Sequence, residues 1–187
     1  MDVRLFIAIE ITDAVRGKVS HFQNDLKNAS ADVKWVAPEN LHITLKFIGN
    51  TDEEKIDEIV DVIHQSVIEI KPFDIYYSGA GTFPAGKYPR VIFAGAMDSS
   101  GALASIYERL NRQLTELGIP YDEHTFEAHI TVGRVKTHKN IKKLMECVHS
   151  YREFTFGQEN IDHLVLMKSD LTREGAIYTR VSTIRFA

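Results

Sequence analysis

Histidine and threonine two places apart occur twice, in His42-Ile43-Thr44-Leu45 and His129-Ile130-Thr131-Val132, with 87 residues between the histidines (129 − 42). Alternate side chains of a β-strand share a face. Each segment, read as a strand, therefore sets one imidazole beside one hydroxyl and sends Ile43, Leu45, Ile130 and Val132 to the other side. Two such strands placed together would gather two imidazoles and two hydroxyls in one small volume. An imidazole changes charge near pH ~6.5, so at neutral pH one ring can act as base while the other acts as acid. That pairing suits in-line transfer at a phosphodiester, with one proton leaving the attacking water and another reaching the departing oxygen. Thr44 and Thr131 are positioned to hold the non-bridging oxygens. On a regular strand Lys46 shares the motif face, whereas Gly133 at the matching place removes a side chain and leaves room for a nucleoside. Arg134 falls on the opposite face unless a bulge or the strand end turns it toward phosphate.

These residues admit other readings. A single H-x-T is often a partly buried, hydrogen-bonded histidine. Its recurrence inside a longer repeat favours chemistry, because a packing relic would keep its apolar positions and lose the polar pair. Zinc would require further ligands at close spacing, and neither motif supplies them, so no metal and no cofactor is expected. No G-x-S-x-G elbow is present for serine hydrolysis. His21, His64, His124, His138, His149 and His163 have no twin and are read as surface or capping residues, with His124 nearest a motif. Cys147 lies on a helical pattern with Leu144, Met145 and Val148 and reads as packing.

The elements that must hold the motifs are repeated too. Sliding the sequence by 87 places sets Leu5-Phe6 on Ile92-Phe93. A helical pattern lies between strand and motif in each half: Val15, Val19, Phe22, Leu26 in the first, and Leu103, Ile106, Leu110, Leu114, Leu117 in the second. A second helix follows each motif. The first is expected to open at Thr51 with Glu54 three places on, a capping box, and the second spans about 140–150. Phe73-Asp74-Ile75 and Phe154-Thr155-Phe156 begin further strands. Leu164–Lys168 and Ile177–Ile184 read as a closing hairpin around Thr172-Arg173-Glu174-Gly175. Residues Phe83 to Arg90, with two prolines and a glycine, form a surface loop; Phe83, Lys87, Tyr88 and Arg90 could supply stacking and charge from it, although an ordinary solvated turn is the simpler reading. The expected fold is α+β, a duplicated bilobal domain over residues 1–187, with two antiparallel-type sheets facing a central cleft and helices outside.

Composition agrees with a globular protein: 187 residues, 44% hydrophobic and 26% charged. A net charge of −4 argues against an extended nucleic-acid surface and leaves room for a local basic pocket. Neither a signal-peptide core nor a membrane-spanning stretch is evident, so a cytoplasmic protein without an obligate protein partner is expected. The single cysteine excludes an internal disulfide.

The two motifs, together with Arg4-Leu5-Phe6-Ile7-Ala8-Ile9, Glu39 to Gly49, Gly81-Thr82-Phe83-Pro84, Pro89-Arg90-Val91, Ala128 to Arg134, Ser169-Asp170-Leu171 and Gly175-Ala176-Ile177-Tyr178, resemble the two-histidine phosphoesterases. Within them the likeness is to the RNA 2′,3′-cyclic phosphodiesterases, historically called 2′-5′ RNA ligases, and it covers essentially the whole chain. The resemblance implies a bilobal fold with the histidines in the central groove. It also implies metal-independent hydrolysis of a terminal 2′,3′-cyclic phosphate on RNA to a 2′-phosphomonoester, with reversible 2′-5′ joining of RNA ends as a side activity. By the same resemblance His42 corresponds to the proton donor for the leaving 3′ oxygen, His129 to the acceptor that activates water, and Thr44, Thr131 and Arg134 to phosphate-binding positions. Ala128 departs from the proline that many members carry there. Two alternatives stay open: an RNA-end binding module without turnover, and a phosphodiesterase for a small cyclic nucleotide.

Overall fold

Leu5, Ile7 and Ile9 point into the main core, while Phe6 and Ala8 between them pack with Val165 on the opposite face of the same strand. A strand apolar on both faces belongs in the interior of a sheet. The computed structural model describes residues 2–173 and 175–187, so Glu174 of the expected turn lies outside the described residues. In chain order the elements are β1 (Asp2–Glu10), α1 (Asp13–Lys27), β2 (Val33–Trp35), β3 (His42–Asp52), α2 (Ile56–Val67), β4 (Phe73–Phe83), β5 (Val91–Met97), α3 (Ala102–Gln113), β6 (His129–Val135), α4 (Ile141–Ser150), β7 (Thr155–Ile161), β8 (His163–Leu171) and β9 (Ala176–Arg185).

All strand pairs are antiparallel, in the order β7-β4-β5-β6-β3-β1-β8-β9, with β2 added beside β6. The two expected sheets are thus the halves β9-β8-β1-β3 and β6-β5-β4-β7, joined edge to edge by one residue pair, Ile43 with Ile130. Helices lie behind both halves. They are exchanged between them: α1, from the N-terminal repeat, packs on β6, β7 and α4, while α3 packs on β3 and α2. β4 likewise follows α2 in sequence but pairs with β5 in the other half. Each sequence repeat therefore contributes to both spatial halves.

The helices start where local chemistry permits. Thr12 caps α1, its hydroxyl accepting from Val15 N–H at 3.5 Å, and Val15, Val19, Phe22 and Leu26 form the buried stripe. The expected cap at Thr51 is displaced by one residue. β3 runs on through Asp52, whose carboxylate accepts from Glu54 N–H at 3.2 Å and opens a 3₁₀ turn before α2. The closing hairpin forms as expected, β8 pairing with β9 from Leu171↔Ala176 to His163↔Arg185.

Candidate active site

His42 and His129 each open a strand, and each ring is fixed by the backbone two residues earlier. Nδ1 of His42 lies 2.7 Å from Asn40 O, and Nδ1 of His129 lies 2.7 Å from Glu127 O. A carbonyl only accepts, so Nδ1 carries the proton in both rings and the lone pair of the neutral form is on Nε2. Thr44 Oγ1 is 2.8 Å from His42 Nε2 and donates to it. Antiparallel partners step in opposite directions, so one residue either side of Ile43↔Ile130 sets His42 across from Thr131 and Thr44 across from His129. Four polar side chains thereby form one square on the groove face.

Aromatic rings pack beside both imidazoles. Phe6 and Tyr178 stand 5.0 and 5.4 Å from His42, and Phe83 and Phe93 stand 5.0 and 5.5 Å from His129. Phe6 and Phe93 are themselves repeat mates, 87 residues apart, so this pair was visible in the sequence register although its role was not. Burial pushes the His42 imidazole below its ordinary value. The bond to Asn40 O opposes that shift, the charge of His129 adds to it, and Glu10 pulls it back up.

Both motif strands bulge one residue beyond the threonine. On β3, Ile7 pairs with Lys46 and the next residue, Ala8, with Thr44; on β6, Ile92 pairs with Gly133 and Phe93 with Thr131. Leu45 and Val132 are the extra residues, and each reverses the alternation that follows. Arg134 consequently turns to the groove, as the bulge condition required, and Phe47 does so at the mirrored position. The expectation for Lys46 and Gly133 is overturned for the same reason. Lys46 is only 4% exposed and points behind the sheet, its Nζ donating to Asn111 Oδ1 at 2.7 Å and Pro120 O at 2.8 Å. Gly133 makes room for β2 and not for a nucleoside: a Cβ there would lie 2.7 Å from Val33 Cγ1 and 2.9 Å from Trp35 Cε3.

The groove has a volume of about 520 Å³ and takes in His42, Thr44, His129, Thr131 and Arg134. Arg4, Phe47 and Leu171 line it from one half, and the 122–127 segment with His124 and Phe126 adds a wall. That wall is tied down from behind. Asn111 accepts from Asp122 N–H and donates to Asp122 O, both at 2.8 Å, and Tyr107 donates to His124 O at 3.2 Å while stacking on Phe126 at 4.7 Å. Of the Phe83–Arg90 loop only Phe83 reaches a catalytic candidate; Tyr88 contacts His138 instead. His64 and His163 share a separate groove. Cys147 is half-buried with its thiol pushed up by burial, as suits packing. Among the described residues no three His, Cys, Asp or Glu side chains are grouped to hold a metal ion, and no helix is long and apolar enough to cross a membrane.

Chemically, two Nε2 atoms on one groove can give and take protons at a single phosphorus, with hydroxyls and a guanidinium for its oxygens. A duplicated antiparallel fold with one anchored imidazole from each motif strand defines a phosphoesterase of the two-histidine type. The family model described as LigT like Phosphoesterase matches residues 9–93 and again 96–178, once per repeat, and the chain belongs to that family. It is 36% identical over 185 residues to an RNA 2′,3′-cyclic phosphodiesterase of Methanothermobacter thermautotrophicus, covering 99% of this chain and 100% of the relative. A protein of the same name from Methanocaldococcus jannaschii is 38% identical, covering 94% and 96%. Among solved structures, TT0787 of Thermus thermophilus superimposes with a TM-score of 0.81 at 27% identity, over 98% of this chain and 97% of its own. The fold also matches E. coli LigT complexed with 3′-AMP, with a TM-score of 0.78 at 22% identity over 100% and 99%.

Proposed function

We propose that this protein opens the 2′,3′-cyclic phosphate at the 3′ end of RNA and leaves a 2′-phosphomonoester. Water attacks phosphorus and loses a proton to His129, while the P–O3′ bond breaks and O3′ takes a proton from His42. The turnover ends with the two rings in exchanged protonation states. Thr44, Thr131 and Arg134 hold the non-bridging oxygens, and no metal ion takes part. The observation that carries this reading is the pair of Nδ1 anchors, which aim both Nε2 atoms at one groove. The assignment of acid and base, and the choice of RNA, rest on the relatives named RNA 2′,3′-cyclic phosphodiesterase. A 5′-hydroxyl in place of water would give a 2′-5′ linkage by the same proton movements. The setting is the cytoplasm, with no obligate protein partner.

The test is an end-labelled RNA bearing a cyclic phosphate, incubated with excess chelator. The expected product is the 2′-phosphate; a 3′-phosphate, or loss of turnover in chelator, would overturn the mechanism. His42→Ala and His129→Ala are each expected to lower turnover by roughly 10²–10⁴ with the fold intact by circular dichroism.

A further inference from the structure

The two repeats agree in fold but not in charge. Beyond the first bulge, residues 46–58 hold five acids, Asp52, Glu53, Glu54, Asp57 and Glu58, against Lys46, which is buried, and Lys55. The equivalent window 87 places later, residues 133–145, holds five basic residues and no Asp or Glu. Drift around a net charge of −4 gives no reason for a run of that kind on one side only.

The fold adds to the basic side. Val135 N–H donates to Arg90 O at 2.9 Å and Val91 pairs with Arg134, so the 83–90 loop, with Lys87 and Arg90 and no acid, lies against the 134–136 segment. β2 brings Lys34 directly opposite Arg134, on the same face. Asp32, whose carbonyl accepts from Lys136 N–H at 2.8 Å, stands at the outer end of β2, and the acids Asp122 and Glu127 lie in the groove that Arg134 lines. Tyr88, 56% exposed, sits with its ring 4.8 Å from His138 and 5.6 Å from Lys87 Nζ. Arg134 also lines the groove, so the basic surface begins where the reacting phosphate is held and leads outward to an open aromatic ring.

We infer that the nucleotides on the 5′ side of the reacting end run over this surface, past Lys34 and Arg134 toward Tyr88, and that the acidic mirror surface excludes them from the other half. The occupant is single-stranded RNA: backbone phosphates meet the lysines, and a base stacks on Tyr88. This deepens the catalytic proposal, since it takes the groove as the seat of the RNA end. It gives the two-fold arrangement one direction.

The probe is a fluorescein-labelled single-stranded RNA on the order of ten nucleotides long, ending in a 2′-phosphate, with binding followed by anisotropy against salt. Lys34→Glu/Lys87→Glu is expected to weaken binding at least tenfold and to flatten the logarithmic salt dependence by ~0.7 for each phosphate that is no longer neutralised. Tyr88→Ala is expected to weaken it about tenfold with the salt dependence unchanged. Glu53→Lys/Glu54→Lys, on the mirror surface, should alter affinity less than twofold. All three variants should hydrolyse a 2′,3′-cyclic mononucleotide at the native rate, which also reports that they are folded. Unchanged RNA affinity in the lysine variant, or equal sensitivity on the mirror surface, overturns the inference, as would wild-type protein that turns over the mononucleotide yet binds the RNA no tighter. Absence of wild-type turnover on both the mononucleotide and a cyclic-phosphate RNA would sink the catalytic proposal instead, while the binding measurements would still decide the RNA path.

Discussion

At His42 three influences meet: burial, a carbonyl on Nδ1 and a threonine hydroxyl on Nε2. The free protein keeps this ring neutral further into the acid range than an ordinary histidine. Donating a proton to O3′ requires the charged ring, and an anionic phosphate in the groove favours that form, so the bound state takes up a proton. Affinity for a 2′-phosphate product is therefore expected to rise as pH falls from neutral toward the lowered His42 value. Calorimetry in buffers of different ionisation heats would measure the uptake, and pH-independent affinity would contradict it. The same sign applies to folding. The unfolded chain binds the proton first as pH drops, so the His42 contribution to stability is present at neutral pH and is lost as pH falls below the ordinary histidine range. That these four side chains would share one groove was legible, because histidine and threonine repeat at fixed spacing. Their anchors were not, since backbone carbonyls carry no side-chain signature.

At the level of strands, the bulge decides which residues reach the groove. A period of two read straight through Lys46 and Gly133 misplaced both, because one extra residue reverses the positions that follow it up to the next bulge. A trace was present in the apolar spacing. Apolar positions on the core side run Ile43, Leu45, Ile48 in one strand and Ile130, Val132 and the half-buried Val135 in the other, a step of two and then of three. The helix stripes, by contrast, were read directly over Val15 to Leu26 and Leu103 to Leu110; the second was expected to run on to Leu117, but α3 stops at Gln113 and Leu114–Leu117 tightens into a 3₁₀ turn. The exchange of helices between halves had no such signal, because crossing is decided by which faces meet. Gly133→Ala tests the bulge packing. Its new methyl would press on Val33 and Trp35, costing about 1–3 kcal/mol. Trp35 is the single tryptophan, so its fluorescence would report the shift during denaturation. An unchanged midpoint would mean that β2 gives way freely.

Taken as a whole, the molecule is built from a repeated unit whose copies have diverged in charge while keeping the histidine and threonine of the groove. Fold duplication was legible from Leu5-Phe6 and Ile92-Phe93 as well as from the motifs. That the two sheets fuse was not, since the fusion depends on one pairing, Ile43 with Ile130, both fully buried. Ile130→Ala is expected to cost ~2–5 kcal/mol by cavity formation, measured by urea denaturation. Turnover should fall with it even below the melting range, because this side chain backs the square of histidines and threonines. A variant that lost stability but kept full turnover would separate the seam from the chemistry.

That seam also fixes the lever on which any relative movement of the halves would act. Each imidazole sits one position from the joint, so if the halves swing about it the rings travel on the shortest possible lever. Outlying parts such as Leu171 and Phe126 would sweep much wider arcs. An opening of that kind would admit a bulky polymer while leaving the spacing of the two imidazoles nearly unchanged.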